Sequence, residues 1–173
     1  MKNQENISKN ILQLAEKYRD YTAGNLSKMV QVKSYSGAEE DVCRLIAELC
    51  REAGFDDVYF DGLGSVIGRV GSGAKIIAFD AHIDTVEVGD PEQWDFDPFS
   101  GEIRDGRVWG RGASDQKGGG AAMITAGRIL KELGFDRDVT AYFTFTVMEE
   151  DCDGMCWKYL IEEEQLKPDF VVS

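Results

Sequence analysis

Residues 75–85 read Lys75-Ile76-Ile77-Ala78-Phe79-Asp80-Ala81-His82-Ile83-Asp84-Thr85. Ile76 to Phe79 is an unbroken apolar run, the pattern of a strand covered on both faces. A strand with one wet face would alternate instead. A covered strand needs helices above and below it, so this stretch predicts an α/β sheet between helical layers. It also predicts where chemistry gathers, because ligands of such sheets sit beyond the carboxyl ends of the strands. The single histidine of the chain, His82, falls there. Asp84 lies two residues further on and, in extended backbone, points the same way. A carboxylate so placed can hold one imidazole nitrogen and fix the tautomer, leaving the other nitrogen to face a metal. A lone His-x-Asp is more often an ordinary surface contact.

The flanking sequence fits the sheet. Val58–Phe60, Ser65–Val70 and Lys75–Asp80 read as strands joined by Gly-rich turns. Asp105-Gly106, between Ile103 and Val108–Trp109, is a hairpin signal. Val139–Val147 is a long β-branched and aromatic strand, and Asp169–Val172 is strand-like. Apolar positions at Ile7, Ile11, Leu14, Ala15, Tyr18, Tyr21 and Leu26 have helical spacing, with Gly24 as the expected break or bend. Ser36 followed by Glu39 reads as a capping box. The helix it opens runs through Val42, Leu45, Ile46 and Leu49 and stops at Gly54. Two more helices are expected, from about Gly118 to Leu133 and from Gly154 to Gln165.

Composition narrows the function. The chain has 173 residues, with 19 Lys+Arg against 32 Asp+Glu, a formal net charge of −13. That excess of acid repels phosphate backbones and argues against nucleic-acid or anionic-membrane partners. One histidine excludes a site built from two or three imidazoles within this chain. The opening MKNQENISKN lacks an apolar h-region, which argues against a secretory signal. No stretch approaches the ~18 apolar residues of a membrane span. Cys43 and Cys50, seven apart on one helical face, read as small buried hydrophobes. Cys152 and Cys156 read as free thiols, since a thiolate zinc site would want two more Cys or His nearby. A reduced, cytoplasmic protein is expected.

Two further segments change the standing of His82. Arg111-Gly112-Ala113-Ser114-Asp115-Gln116-Lys117-Gly118-Gly119-Gly120 leads into a helix, with Asp115 placed to bridge metals and glycines that let the backbone close around it. A phosphate loop is not matched, because glycine, not Ser or Thr, follows Lys117. A plain glycine-rich turn, capped by Ser114 or Asp115, remains open. Val147-Met148-Glu149-Glu150-Asp151 ends the second apolar strand in three consecutive acids. Like charges so close raise each other's pKa, and a divalent cation resolves the conflict. A solvated acidic loop is the alternative. Each feature is weak singly; an HxD, a GASDQKGG segment and an EED at strand ends are specific together.

With these motifs in place the sequence resembles the di-zinc amidohydrolases and exopeptidases related to aminoacylase, carboxypeptidase G, acetylornithine deacetylase and succinyl-diaminopimelate desuccinylase. The resemblance runs from about Lys17 to Ser173 and is densest over residues 78–123, AFDAHIDTVEVGDPEQWDFDPFSGEIRDGRVWGRGASDQKGGGAAM. EEDCDGMCW, residues 149–157, is closer to one subgroup, hydrolases linked to selenium metabolism. The resemblance implies a three-layer α/β/α zinc-exopeptidase-like catalytic domain with a mixed, mostly parallel sheet. It implies two zinc ions, with cobalt or manganese also suited to such ligands. It assigns His82, Asp115 and Glu150 as metal ligands, with Asp115 bridging. Asp84 orients His82, and Glu149 is the general acid/base for a di-zinc-activated water. It also implies a cis peptide between Asp115 and Gln116. Substrates would be N-acyl amino acids or small peptides cleaved at an amide bond, with Trp94, Phe96 and Phe99 lining the entrance or belonging to the core.

Relatives are roughly twice this length or more. Residues 1–173 are therefore expected to be the N-terminal part of a truncated catalytic metallohydrolase domain. The lid and dimerisation domain, the C-terminal part and two further metal ligands would be absent. Each zinc would keep two protein ligands where a catalytic zinc usually has three. The isolated chain is thus expected to be inactive. It would be completed by a homo-oligomer or a complementing C-terminal chain, or be a non-catalytic fragment or half of a split enzyme acting as an interaction module.

Overall fold

Strand β3 (Lys75–His82) pairs in parallel with β6 (Val139–Thr146) on one side and with β7 (Phe170–Val172) on the other. On its far side β6 pairs antiparallel with β2 (Val66–Val70), which pairs antiparallel with β1 (Asp57–Phe60). The computed structural model describes residues 2–135 and 138–173, with side chains from residue 6 onward. Met1, in the stretch read for a leader, lies outside them. Among the described residues the sheet order is β1-β2-β6-β3-β7, a mixed sheet as expected, with two parallel and two antiparallel pairings. A separate hairpin joins β4 (Glu102–Arg104) to β5 (Arg107–Trp109). Its turn residues Asp105 and Gly106 have φ of 54° and 72°. Both are left-handed, as a two-residue type I′ turn requires.

Helices lie on both faces. α3 (Glu40–Glu52) and α4 (Lys117–Glu132) pack on one, and α2 (Arg19–Gln31) packs against α4. Period-two alternation divides the strands between the layers. Val66, Val70, Ala141, Phe143 and Phe145 join α3 and α4 in the main core. Ile67, Ile76 and Tyr142 face the other way and meet Leu160 and Trp157 of α6 (Met155–Glu162). The apolar run that opens the reading therefore has Ile76 on one core and Phe79 on the other, where Phe79 stacks on Phe143 at 5.2 Å. The result is the expected three-layer α/β/α arrangement.

Two local expectations are corrected. The long N-terminal helix breaks at Tyr18, between α1 (Lys2–Lys17) and α2, while Gly24 sits inside α2. Nothing comes within 4 Å of where a Gly24 Cβ would stand, so no close approach demands a bend there. The Tyr18 hydroxyl instead donates to Glu132 of α4 at 2.5 Å, beside the Lys17 ammonium at 2.9 Å. Ser36 and Glu39 do not form a capping box. Glu39 occupies the N-cap position of α3 with no side-chain cap bond, and both side chains are engaged elsewhere.

Lys117 opens α4 and is completely buried. Its Nζ donates to the carbonyl oxygens of Met29 and Val32, at 3.0 and 2.9 Å, where α2 ends. A cation there meets the orphan carbonyls of a helix C-terminus. Burial alone pulls its pKa down from 10.5 to about 8. Cys43 and Cys50 are buried in the main core as expected, and burial pushes both thiols up to about 12. All four cysteines are free, and only Cys152 among them is partly exposed. No described helix is long and apolar enough to cross a membrane.

Alkylation of the native chain at pH 8 should label Cys152 first and leave Cys43 and Cys50 unmodified until denaturant is added; peptide mapping checks this. For Lys117 the unfolded chain holds its proton to about pH 10.5 while the folded chain releases it near 8. The burial penalty is thus complete below pH 8 and relieved as pH rises toward 10.5. Across that window the metal-free protein should gain up to about 3 kcal/mol relative to Lys117→Met, read by urea unfolding at each pH.

Candidate metal centre

The parallel pairing of β3 and β6 sets His82 opposite Thr146, so two strand ends finish side by side. His82 is 6% exposed. Beyond β6 the chain turns through Val147 and a left-handed Met148, φ 58°, into α5 (Glu149–Cys152). The third contributor, Asp115, comes from the loop before α4. The Asp115–Gln116 peptide is cis, as the resemblance implied. The loop and the first turn of α4 are packed too closely for side chains at Gly112 and Gly118. A Cβ on Gly112, at φ +78°, would lie 2.6 Å from Thr85 Cγ2, and one on Gly118 would lie 2.6 Å from the Ala113 carbonyl oxygen. Gln116 returns an acceptor, its Oε1 receiving the His82 backbone N–H at 3.1 Å.

The three segments bring acids to the imidazole. His82 Nε2 lies 2.9 Å from Asp115 Oδ1 and 3.8 Å from Glu149 Oε2. One ligand atom each from His82, Asp115 and Glu150 falls within 4.8 Å of the others. Asp115 and Glu149 are open to solvent on their outer side, at 75% and 42% side-chain exposure, which leaves room for a ligand. Among the described residues no lysine or arginine lies within 4.0 Å of Asp115, Glu149 or Glu150. One imidazole nitrogen, two carboxylates and no competing side-chain cation form a donor set that fits a divalent metal such as zinc, cobalt or manganese.

Behind the imidazole, Asp84 has no exposure at all. His82 Nδ1 lies 3.1 Å from the Asp84 carbonyl oxygen and 3.5 Å from its carboxylate. The carboxylate oxygens are engaged more tightly elsewhere. Oδ1 accepts from the Glu149 backbone N–H at 3.0 Å. Oδ2 accepts from Glu150 N–H at 3.1 Å and from the Ser36 hydroxyl at 2.7 Å. Burial would push this carboxyl up, but His82 and these donors hold it below the usual range. Burial also works against the His82 cation. Its hydrogen bonds to Asp84 and Asp115 outweigh that and raise the imidazole to about 9. A divalent cation held by His82 would compete with that proton.

All five residues singled out from the sequence, His82, Asp84, Asp115, Glu149 and Glu150, therefore meet at one place. Trp94, Phe96 and Phe99 belong to neither core cluster; Trp94, Phe96 and Trp109 pack edge-to-face at the surface. A cavity of about 650 Å³ opens between residues 37–41, Cys43, Arg44, Phe60, Leu63, Gly64 and Val147, and none of the three candidate ligands lines it. Ser36 and Gln116 escaped the sequence reading as site residues. No spacing marks them, because their partners lie 48 and 34 residues away.

Asp84→Ala would leave two partly buried N–H groups and a hydroxyl without their acceptor. The metal-free chain should lose about 3–5 kcal/mol on urea unfolding. Asp84→Asn, which keeps one acceptor oxygen, should lose less.

Known proteins are similar to this chain. The profile of peptidase family M20/M25/M40 matches residues 78–173. An Escherichia coli K12 protein, Uncharacterized protein YgeY, is 47% identical over 163 residues, covering 92% of this chain and 40% of its own length. A succinyl-diaminopimelate desuccinylase of Cereibacter sphaeroides is 41% identical over 102 residues, covering 57% of this chain and 27% of that protein. In structure the chain is similar to the di-peptidase Dug1p of Saccharomyces cerevisiae, with a TM-score of 0.78 at 23% identity over 90% of this chain and 37% of that one. The chain thus spans less than half the length of each. The matched region contains every candidate ligand, and the chain belongs to peptidase family M20/M25/M40.

Proposed function

We propose that this chain is the N-terminal part of the catalytic domain of a metal-dependent amidohydrolase or exopeptidase. Its substrates are N-acyl amino acids or small peptides, cleaved at an amide bond. The observation that carries the reading is the convergence of His82, Asp115 and Glu150 within 4.8 Å in front of a fully buried Asp84. The family match and the resemblance to a desuccinylase support the amide chemistry.

In this reading His82, Asp115 and Glu150 would hold two divalent cations, zinc in the first instance, with Asp115 shared between them. Bound there, divalent cations supply Lewis acidity, polarising a carbonyl and making water acidic near neutral pH. Asp84 keeps the imidazole oriented and the Glu149–Glu150 turn in place. Glu149 is the proton carrier. Its carboxylate takes a proton from the attacking water as the C–O bond forms and gives it to the amide nitrogen as the C–N bond breaks. Its partial exposure suits a group that must meet both water and substrate.

Three ligands for two cations leave each with two protein donors, one fewer than catalytic zinc usually has. The reading therefore includes completion of the site by further residues, from a continuation of this domain with its lid, a second copy or a complementing chain. It also includes a cytoplasmic setting, which the four free cysteines support.

Calorimetric titration with zinc chloride tests the reading. Uptake should occur with wild type and be lost in His82→Ala; wild type that takes up no zinc would refute the metal centre. The purified chain alone should release no amine from N-acyl amino acids. Zinc-dependent turnover that disappears in Glu149→Ala would refute the need for completion. Tight uptake of two zinc ions per chain would favour completion by a partner, whereas weak single-site uptake would favour the non-catalytic reading.

A further inference from the structure

Met148, Glu149 and Glu150 offer three consecutive backbone N–H groups at the start of α5. A four-residue helix cannot satisfy these groups itself. Two of them go to Asp84, as described above. The third goes to another buried carboxylate. Glu39 Oε1 accepts from Met148 N–H at 3.0 Å across 109 residues of sequence, and Glu39 is 6% exposed. Ser36, three residues before it, donates to Asp84. The loop before α3 thus grips the acidic turn twice, directly through Glu39 and indirectly through Ser36 and Asp84.

Simple stability does not call for this arrangement. Burying a second carboxylate near Asp84 is unfavourable on both desolvation and charge grounds. A serine or asparagine at the N-cap of α3 would satisfy that helix more cheaply. What Glu39 does achieve is positional. It fixes the residue in the left-handed conformation, Met148, from which Glu149 and Glu150 are launched toward His82.

We propose that Glu39 is a positioning residue of the metal centre. It holds the Met148–Glu150 turn so that Glu150 reaches the cation and Glu149 the reacting groups, with Ser36 bracing Asp84 from the same loop. The inference rests on the metal reading for its zinc arm alone, since the hydrogen bond to Met148 is testable without metal.

Three variants separate position from charge. Glu39→Gln keeps the acceptor and loses the charge. Glu39→Asp keeps the charge and withdraws the acceptor by one methylene. Glu39→Ala loses both. In the whole chain, amide hydrogen exchange at Met148, Glu149 and Glu150 should quicken about tenfold in Glu39→Asp and Glu39→Ala, the equivalent of one hydrogen bond. Zinc affinity by calorimetry should weaken about tenfold in the same two variants, measured where circular dichroism shows them folded. Glu39→Gln should match wild type in both readouts. If Glu39→Ala fails to fold, Glu39→Asp against Glu39→Gln still decides. Exchange at Met148 unchanged in the variants would overturn the proposal, as would faster exchange with unchanged zinc affinity. A wild type that takes up no zinc would remove the metal reading, and the exchange comparison would then decide alone whether Glu39 holds the turn.

Discussion

A carboxylate with no access to water must be surrounded by donors, and Asp84 is that carboxylate. The requirement links three regions far apart in sequence. Asp84 follows β3, takes the N–H groups of Glu149 and Glu150 after β6, and takes the Ser36 hydroxyl from the loop before α3. Because an unpaired buried charge is so unfavourable, the three segments hold one another in register. The candidate ligands are the outward side of the same joint. His82 projects from one segment and Glu150 from another, and their separation is set by hydrogen bonds neither of them makes with its side chain.

The sheet makes that joint possible. Parallel neighbours finish at the same edge, so β3 and β6 deliver His82 and the acidic turn together. The loop before α4 brings Asp115 to the same edge. Lys117, two residues on, anchors this end of α4 to the final carbonyls of α2. A glycine-rich segment that reads as flexible is thus fastened directly after its key residue Asp115, by Gln116 to β3 and by Lys117 to the end of α2.

Much of this was legible in the residues. The apolar run at 76–79 implied cover on both faces, and it bridges the two cores. Asp105-Gly106 implied a tight hairpin and forms one. His82, Asp115, Glu149 and Glu150 stood out because a lone histidine and clustered acids at strand ends are chemically conspicuous. The misreadings share a cause. Gly24 and the Ser36/Glu39 pair were interpreted by local rules, and tertiary contacts overruled them. Glu132 of α4 binds Tyr18 at the helix break, the distant Met148 N–H claims Glu39, and Asp84 claims Ser36.

The sequence by itself determined the alternation of strands and helices, the cores that period-two and helical patterns create, and the residue types able to hold a divalent cation. Those are properties of spacing and side-chain chemistry, which survive without knowledge of the fold. Tertiary structure alone decided which buried polar groups face one another. Asp84 was expected to serve His82; it lies against Nδ1 and in addition holds the backbone of the acidic turn and the Ser36 hydroxyl. Glu39 was expected to cap a helix and holds Met148 instead. The physical reason is that a buried donor or acceptor must be satisfied by whatever the fold brings within about 3 Å, and sequence separation places no limit on that partner.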